Sequence, residues 1–363
     1  MIIERKINGI VVGVDPFEAD AVYFNEKDAE NLEGDDIDSI RDYLMKQNGD
    51  EMFPFSCNFE ITNVCNFKCP FCYINTCDSK KTTWTFDEAK LVIDMLIEKG
   101  MLLCTLTGGE VMLNPDFAKI YTYLKEHGVL VNVFTNGSLV TNEIIDLFKK
   151  YPPYLVEISI YGFTDYQFFN VTGNNPYYKN HIFDLILSLK YENINVRCKT
   201  PITSITHADE AAILNWCKKH SISYYTSSEL LDTYSGNSTD SYKAPANRIQ
   251  EEMNRKITND KSESNNIFGY KKAFDCPAGK SIVYISFDKC VYPCMSAYGI
   301  NELGFPLFVT TPRKAIEHLY ERVNEMRGVK LSKCSGCKLN DVCNYCIVKD
   351  LKKEQPPCLL YSN

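Results

Sequence analysis

The sequence predicts an α/β fold: a partial (β/α)6 TIM barrel with a small N-terminal unit and a C-terminal cysteine-rich domain. A strand–loop–helix pattern repeats six times between Cys57 and Thr226, which is typical of a parallel sheet covered by helices. Six units are fewer than the eight that close a barrel. Cysteines are also concentrated after residue 275. We therefore divide the chain into a small unit, a barrel, a linker or lid and a cysteine-rich domain, at residues 1–54, 55–230, 231–272 and 273–363.

The N-terminal unit has the pattern of a short hairpin followed by one helix. Two apolar runs, Ile10–Val14 and Ala21–Phe24, are separated by the turn-forming pair Asp15–Pro16. Apolar residues at helical spacing then predict a helix over Ile37–Lys46. So short a segment has little core of its own, and we expect it to cover the main domain.

The barrel region alternates strands with helices. Thr85 and Glu88 form a capping box at the start of the first helix, and Gly100 ends it. The predicted strands are Cys57–Ile61, Leu102–Leu106, Val129–Phe134, Leu155–Ile160, Ile194–Lys199 and Ile222–Thr226, and the later helices include Thr141–Lys149, Phe183–Leu189 and Ala208–His220. Because active groups in such barrels gather on the loops after the strands, we expect the functional residues at those positions.

The segment after the barrel lacks any strand pattern. Leu231–Tyr270 is rich in Ser, Asn, Asp, Thr and Lys, and Ala246–Ile257 has the spacing of an amphipathic helix. This composition is typical of a linker or a mobile lid between domains.

Composition limits the classes of function. The 363 residues carry a net charge of −8, which argues against a general nucleic-acid partner. No run is long and apolar enough for a membrane span, and the N-terminus lacks a signal-peptide pattern, so we expect a cytoplasmic protein. In that compartment, 16 cysteines indicate metal binding rather than disulfides.

A group of three cysteines follows the first predicted strand. Cys65, Cys69 and Cys72 have CxxxCxxC spacing and are flanked by aromatic residues. Three thiolates on one loop can hold three irons of a cubic cluster and leave the fourth iron open to a small molecule. Zinc prefers four ligands, commonly as two distant pairs, so a cluster is favoured over a zinc loop.

This motif, with the aromatic Phe71 before its last cysteine, resembles the signature of the radical SAM superfamily. The resemblance implies a [4Fe-4S] cluster held by Cys65, Cys69 and Cys72, whose open iron binds S-adenosylmethionine (SAM). One electron would then cleave the sulfonium and give a 5'-deoxyadenosyl radical that abstracts hydrogen from a substrate. The six βα units agree with the partial barrel of that superfamily.

Polar residues after the next strands fit SAM binding. Gly108-Gly109-Glu110 follows the second strand and resembles the superfamily's GGE motif, which contacts the amino group of SAM. Asn136 lies in a recurrent turn after the third strand. Ser159 and Arg197, on the fourth and fifth strands, are candidates for the ribose or carboxylate of SAM, although a polar barrel interior would explain them equally well.

The C-terminal cysteines resemble the SPASM extension of this superfamily. Cys276 opens a Cys-x-x-Gly segment, Cys294 follows a proline at the end of a hairpin, and a CxxCx5CxxC run comes later. The resemblance implies an inner auxiliary [4Fe-4S] cluster on Cys276, Cys294 and Cys346, and an outer one on Cys334, Cys337, Cys343 and Cys358. The last gap of that run is one residue shorter than in the family, and the upstream cysteine of full members is absent. These departures leave a single auxiliary cluster, as in the twitch variants, as an alternative.

The three cysteines assigned to the inner cluster leave one of its four irons without a protein ligand. Cys290 would stand about 13 Å from Cys294 along the hairpin strand, too far to share an iron, so we predict an open or substrate-bound iron there. Most of the other cysteines suit small buried residues. Cys77 and Cys290 are the candidates for a thiol that returns a hydrogen atom to a substrate radical, as in peptide epimerases of the superfamily.

The resemblance implies a maturase that modifies a ribosomally made precursor peptide, first of all by an intramolecular thioether or other crosslink. A Cα epimerase comes next, and a sulfatase-type formylglycine maturase is less favoured because Met295, not Asp, follows Cys294. A zinc-binding scaffold protein is the non-enzymatic alternative. The N-terminal unit would bind a leader peptide as an added strand, unless it only covers the barrel. No flavin or nicotinamide motif is present, so a flavodoxin or ferredoxin would supply electrons.

Overall fold

The computed structural model describes residues 2–7, 9–20, 22–24, 26–29, 37–47, 53–74, 80–228, 230–245, 247–248, 276–327, 348 and 351–352. Its helices are α1 (Glu26–Ala29), α2 (Ile37–Gln47), α3 (Phe86–Glu98), α4 (Phe117–Glu126), α5 (Asn142–Lys150), α6 (Asp165–Thr172), α7 (Tyr177–Tyr191), α8 (Glu210–Lys219) and α9 (Pro312–Met326). Within these residues, no helix combines the length and the apolar character that crossing a membrane requires.

Six parallel strands form the barrel wall, and the predicted α/β class is confirmed. They are β4 (Ser56–Thr62), β5 (Leu103–Gly108), β6 (Leu130–Thr135), β7 (Leu155–Ser159), β8 (Val196–Pro201) and β9 (Ser223–Ser227), each paired in parallel with the next. The buried apolar residues of these strands and of their helices make one continuous core. The expected functional residues therefore come together at one end of the sheet.

The capping box predicted from the sequence is present at α3. The Thr85 side chain accepts from the backbone N–H of Glu88, while the Glu88 side chain accepts from the backbone N–H of Thr85. Helix α6 was not predicted. It begins with Thr164 as its cap and ends at Gly173, whose φ of 67° is the left-handed conformation favoured by glycine.

The N-terminal unit is a three-stranded antiparallel sheet with a helix. Strands β1 (Ile3–Ile7), β2 (Ile10–Val14) and β3 (Val22–Phe24) pair in that order, so the predicted hairpin and helix are accompanied by a strand, β1, that the sequence did not reveal. Its apolar face packs against Phe55, Leu102 and Leu130, which lie at the starts of barrel strands. The unit thus covers the end of the barrel opposite to the expected site.

The described C-terminal region continues the barrel sheet. Strand β10 (Ile282–Ile285) pairs in parallel with β4, and β11 (Cys290–Tyr292) and β12 (Phe305–Pro306) follow in antiparallel order. The sheet therefore has nine strands, in the order β12-β11-β10-β4-β5-β6-β7-β8-β9. Five C-terminal cysteines, Cys334, Cys337, Cys343, Cys346 and Cys358, lie outside the described residues, and so does most of the predicted helix Ala246–Ile257.

Strands β10 and β11 form a hairpin, and we call it, with the residues that follow it up to Tyr298, the hairpin region. Residues 230–245, which we call the strap, cross from β9 toward this region. The backbone N–H of Tyr234 donates to the carbonyl of Tyr73 at 2.7 Å, and the Tyr234 ring stacks on Tyr298 with 3.6 Å between centroids. Further along the strap, the backbone of Lys243 forms an isolated antiparallel β-bridge with that of Thr203. The strap is thus attached both to the barrel and to the hairpin region.

Candidate functional site

A cavity of about 330 Å³ lies at the carboxyl ends of the barrel strands. Its wall contains the loop of residues 63–74 after β4, here called the cysteine loop, and residues that end β5 to β9. Leu230 and Leu231 of the strap and Met295 and Ser296 beyond the hairpin complete it. The barrel, the strap and the C-terminal region therefore share one site.

The three thiols of the cysteine loop all line this cavity. Cys65, Cys69 and Cys72 lie on its wall, and the backbone N–H of Cys72 donates to the carbonyl of Cys69 at 3.1 Å. Cys65 Sγ accepts from the backbone N–H of Phe67 at 3.4 Å. Hydrogen bonds to sulfur are among the features that tune iron–sulfur clusters.

Burial keeps the thiols of Cys65 and Cys69 protonated when no metal is bound. It raises the pKa of Cys65 to about 12, and the pKa of Cys69 rises well above its ordinary value for the same reason. A metal ligand must be a thiolate, so metal binding at this loop would release protons and be favoured by higher pH.

The three thiols of the cysteine loop fit the ligand set of a cubane cluster. Among the described residues, no three His, Cys, Asp or Glu side chains converge as the ligands of one metal ion do. In a cubane, each thiolate binds a different iron, so its cysteines surround the cluster. Cys65, Cys69 and Cys72 line one shared cavity, and they would hold such a cluster.

The glycine pair after β5 allows the cysteine loop to pack closely. A Cβ atom at Gly108, whose φ is 137°, would collide with the carbonyl oxygen of Thr62, and one at Gly109 with that of Val64. The backbone N–H of Gly109 donates to Thr62 and that of Glu110 to Val64, both at 2.8 Å. Both glycines also line the cavity, so a ligand would meet bare backbone there.

Glu110 lies behind the cavity wall and not on it. Its carboxylate is fully buried and accepts from Thr135 Oγ1 at 2.6 Å and from the backbone N–H groups of Asn136 and Met112 at 2.7 and 3.2 Å. It thus ties the loop after β6 to the loop after β5. Its contact with the amino group of SAM stays a prediction.

Asn136 lines the cavity beside the cysteine loop. Its Nδ2 donates to Asn66 Oδ1 at 2.9 Å and lies 3.8 Å from Cys65 Sγ. Phe71 and Ser159 also face the cavity, and the Phe71 ring is tilted against Tyr161 at 6.3 Å. The structure therefore brings these three predicted residues to one wall.

Arg197 is held by a neighbouring carboxylate. Glu157 is its direct partner in the register of β7 and β8, and Arg197 Nε donates to Glu157 Oε2 at 2.9 Å. Lys199 Nζ lies 3.4 Å from the other Glu157 oxygen. Glu157 and Lys199 line the cavity whereas Arg197 does not, so among the described residues Lys199 is the cation that a bound ligand would meet. The sequence analysis did not select Glu157 or Lys199.

The described C-terminal cysteines do not line the cavity. Cys276 and Cys294 are half-buried against the main core, and Met295, which directly follows Cys294, reaches the cavity wall. Cys290 is half-buried on β11, and burial raises its pKa to about 11. Its role as a hydrogen donor stays a prediction, as does that of Cys77, which lies outside the described residues.

The comparisons with known proteins point to one superfamily. Residues 59–218 match the model of the Radical SAM superfamily. The antilisterial bacteriocin subtilosin biosynthesis protein AlbA of Bacillus subtilis is 36% identical over 98 residues, which are 27% of this chain and 22% of AlbA. The sporulation killing factor maturation protein SkfB of the same organism is 28% identical over 196 residues, 54% of this chain and 47% of SkfB. The chain thus matches less than half of the length of these curated relatives.

The fold is similar to that of a solved protein over nearly its whole length. Streptococcus suis SuiB bound to the precursor peptide SuiA superposes with a TM-score of 0.65 at 16% identity, covering 98% of this chain and 96% of SuiB. SuiB bound to S-adenosylmethionine gives the same TM-score. At this identity the similarity concerns the fold.

Proposed function

Because residues 59–218 of this chain belong to the radical SAM superfamily, we propose that the protein is a radical SAM maturase of a ribosomally made peptide. We infer that it forms an intramolecular thioether or other crosslink. AlbA and SkfB act in the biosynthesis or maturation of peptide products, and SuiB binds a precursor peptide, which supports this substrate class. A flavodoxin or ferredoxin is the proposed electron donor.

The observation that carries the proposal is the set of residues that line the cavity described above. Cys65, Cys69 and Cys72 line one part of it, and Gly108 and Gly109 offer bare backbone beside them. When bound there, a [4Fe-4S] cluster supplies the electron that converts SAM to methionine and a 5'-deoxyadenosyl radical. The chain's own residues then have to orient SAM and shield the radical.

Orientation is assigned to polar groups on the cavity wall. Lys199, on β8, is the cation that faces the cavity, and Ser159 lies on the neighbouring strand β7. We assign the carboxylate of SAM to these two residues, with Arg197 acting through its ion pair with Glu157. Asn136, beside Cys65, would position the part of SAM nearest the cluster.

Exclusion of water is assigned to the apolar part of the wall. Phe71, Leu230, Leu231 and Met295 face the cavity from the cysteine loop, the strap and the C-terminal region. A dry wall protects a carbon radical from side reactions.

The N-terminal sheet is the proposed leader-peptide site. Within the described strands, β1 and β3 are its edges, because each pairs only with β2. An extended peptide can add to such an edge through main-chain hydrogen bonds. The sheet lies at the opposite end of the barrel from the cavity, so a leader bound there would tether the peptide while its core segment reaches the cavity.

The test is anaerobic co-expression with a precursor peptide encoded beside this protein, followed by mass spectrometry. A crosslink removes two hydrogens from the peptide, whereas epimerisation in heavy water adds one deuterium without other change. The Cys69→Ala variant serves as the control and should leave the peptide unmodified. Purified protein that contains zinc but neither iron nor sulfide would contradict the proposal and favour a scaffold.

A further inference from the structure

Three large aromatic side chains are exposed on α6 and at the start of α7. Tyr166, Phe169 and Tyr177 are 75%, 55% and 69% exposed, and we call them the aromatic patch. Tyr166 and Phe169 are three positions apart on α6, so they lie on the same face of that helix. Exposed aromatic side chains that share one surface are typical of a site that binds another protein.

The aromatic patch borders the cysteine loop. The backbone N–H of Lys68 donates to the carbonyl of Thr172, the last residue of α6, at 2.9 Å. The Phe67 ring packs against Phe168 of α6 and Tyr178 of α7, with 5.6 and 6.3 Å between ring centroids. Phe168 and Tyr178 are each adjacent in the chain to a member of the aromatic patch. Both helices that carry the patch therefore pack directly on this loop.

The same part of the cysteine loop connects solvent to the cavity. Lys68 and Pro70 are exposed, whereas Cys69 between them lines the cavity. This segment thus offers an electron a path of a few covalent bonds from the surface to the Cys69 thiol. Electron transfer falls steeply with distance, so an electron donor has to dock where such a short path exists.

The charge around this loop differs from that of the whole chain. The chain has a net charge of −8, yet Lys68, Lys80 and Lys81 are exposed beside the loop. Asn63, at the start of the loop, donates through Nδ2 to the carbonyl of Lys80 at 2.8 Å and so holds that segment in place. The described residues among 63–82 include no acidic side chain, and Asp165 of α6 is engaged in an ion pair. The surface beside the cluster ligands is therefore basic.

We propose that the aromatic patch, together with Lys68, Lys80 and Lys81, is the docking surface of the electron donor, and that this donor is a flavodoxin. The inference rests on the proposed function. A flavodoxin presents the edge of its flavin ring within an acidic surface, so the aromatic side chains would meet the ring and the lysines its carboxylates. One electron leaves the reduced flavin and is accepted by the oxidised cluster, and no atom is exchanged across the interface.

The make-up of this surface suits a short-lived complex. The donor has to leave after each electron, and interfaces between electron-transfer proteins are correspondingly small. A few aromatic side chains provide the central contacts of such an interface, while lysines around them speed the encounter with an acidic partner.

The first experiment measures the binding of a bacterial flavodoxin to the holoenzyme by isothermal titration calorimetry at low salt. Phe169→Asp and Tyr177→Asp each remove an aromatic ring and add a charge that repels an acidic partner. We expect the affinity to fall about 30-fold in each, the effect of losing one interface hot spot. Tyr191→Asp is the matched control, because Tyr191 is 85% exposed at the other end of α7, and its affinity should stay within about twofold of wild type.

The lysines are tested by a pair of double variants. Lys80→Gln/Lys81→Gln should weaken flavodoxin binding about fivefold and reduce its dependence on salt, as expected for charges at the rim of an interface. Lys218→Gln/Lys219→Gln removes two consecutive exposed lysines from the end of α8 and is the matched control, with no such effect.

The second experiment compares two reductants in the same variants. Dithionite is a small molecule that needs no docking surface, so with it Phe169→Asp and Tyr177→Asp should form 5'-deoxyadenosine within about twofold of the wild-type rate. With reduced flavodoxin at a concentration below its wild-type Kd, the rate should fall about 30-fold, in proportion to the lost affinity. A merely structural role of these residues would lower both rates together. Iron content, measured for every variant, checks that the cysteine loop is intact.

Three results would overturn the proposal. One is binding of flavodoxin to Phe169→Asp and Tyr177→Asp with wild-type affinity, and another is an equal loss of the dithionite and flavodoxin rates. The third is a wild-type protein that binds a ferredoxin through this surface but no flavodoxin, which would make the choice of donor wrong. A wild-type protein from which dithionite releases no 5'-deoxyadenosine would instead refute the proposed function, and the binding measurement would still decide whether the surface docks flavodoxin.

Discussion

Glu60 on β4 and Glu157 on β7 are both buried in the barrel, yet their surroundings differ in charge. Glu157 lies against Arg197 and Lys199, whereas Glu60 is faced by tyrosine hydroxyls and a backbone N–H. The comparison teaches that burial alone does not fix the chemistry of a carboxyl group. Two cations pair with Glu157, whereas neutral donors face Glu60 and burial raises its pKa to about 7.

The largest expected effect is on folding stability, and it comes from removing the Glu60 carboxyl group, which neutral donors face. The folded-state pKa of Glu60 is about 7 against an ordinary 4.5, so the folded protein binds the proton more tightly than the unfolded chain. The contribution of Glu60 to the free energy of unfolding therefore falls as pH rises from about 4.5 to about 7 and is constant above that. Glu60→Gln should be more stable than wild type by up to about 3 kcal/mol at pH 8, with little difference at pH 4.

Urea unfolding at several pH values measures this difference. Glu321→Gln, an exposed glutamate on α9, is the control and should show no such dependence on pH. A constant difference between wild type and Glu60→Gln across this range would show that the two buried carboxylates do not differ as described.

The second-largest effect is expected from removing the cation closest to Glu157, which leaves Glu157 less well paired and so more like Glu60. Arg197→Met removes the closer cation and leaves a carboxylate whose side chain is only 4% exposed. Breaking a fully buried pair costs roughly 3–5 kcal/mol, but Lys199 remains and Arg197 is partly exposed, so we expect a loss of about 2 kcal/mol. The double variant Glu157→Gln/Arg197→Met should recover most of it in chemical unfolding. A double variant no more stable than Arg197→Met would mean that the ion pair is not the cause.

The smallest expected effect is on SAM affinity, and it tests which cation binds the carboxylate of SAM. Lys199→Met should weaken SAM binding about tenfold, the amount expected for one charge-assisted hydrogen bond on a partly solvated wall. Isothermal titration calorimetry of the reconstituted protein measures it, with Lys149→Met on α5 as the control. If Arg197→Met weakened SAM binding while Lys199→Met did not, the assignment of the carboxylate to Lys199 would be wrong.

The sequence predicted the barrel strands closely because their apolar runs and turn residues are local signals. The strand predicted at Leu155–Ile160 is Leu155–Ser159, for example. Strand β1 was missed because Ile3–Ile7 has only apolar ends around a polar centre, and its pairing with β2 is a tertiary effect. Local patterns thus identify elements that are strongly apolar and regularly spaced.

The site was only partly predictable, for a related reason. The cysteine loop and the glycine pair are contiguous motifs, and the structure places both on the cavity. The pairing of Arg197 with Glu157 depends on the register of two strands, which no local pattern reveals. The surroundings of Glu60 come from residues 73, 234, 284 and 287, far apart in the chain, so their meeting could not be read from the sequence.

The parallel pairing of β10 with β4 has a consequence for dissecting this protein. Four residue pairs join the strand that precedes the cysteine loop to a strand more than two hundred positions later. Deleting everything from β10 onward would leave the backbone of β4 without a neighbour on one side, and such bare edges invite self-association. The isolated barrel is therefore not a natural fragment, and any shortened version has to retain the hairpin to stay in solution as a single species.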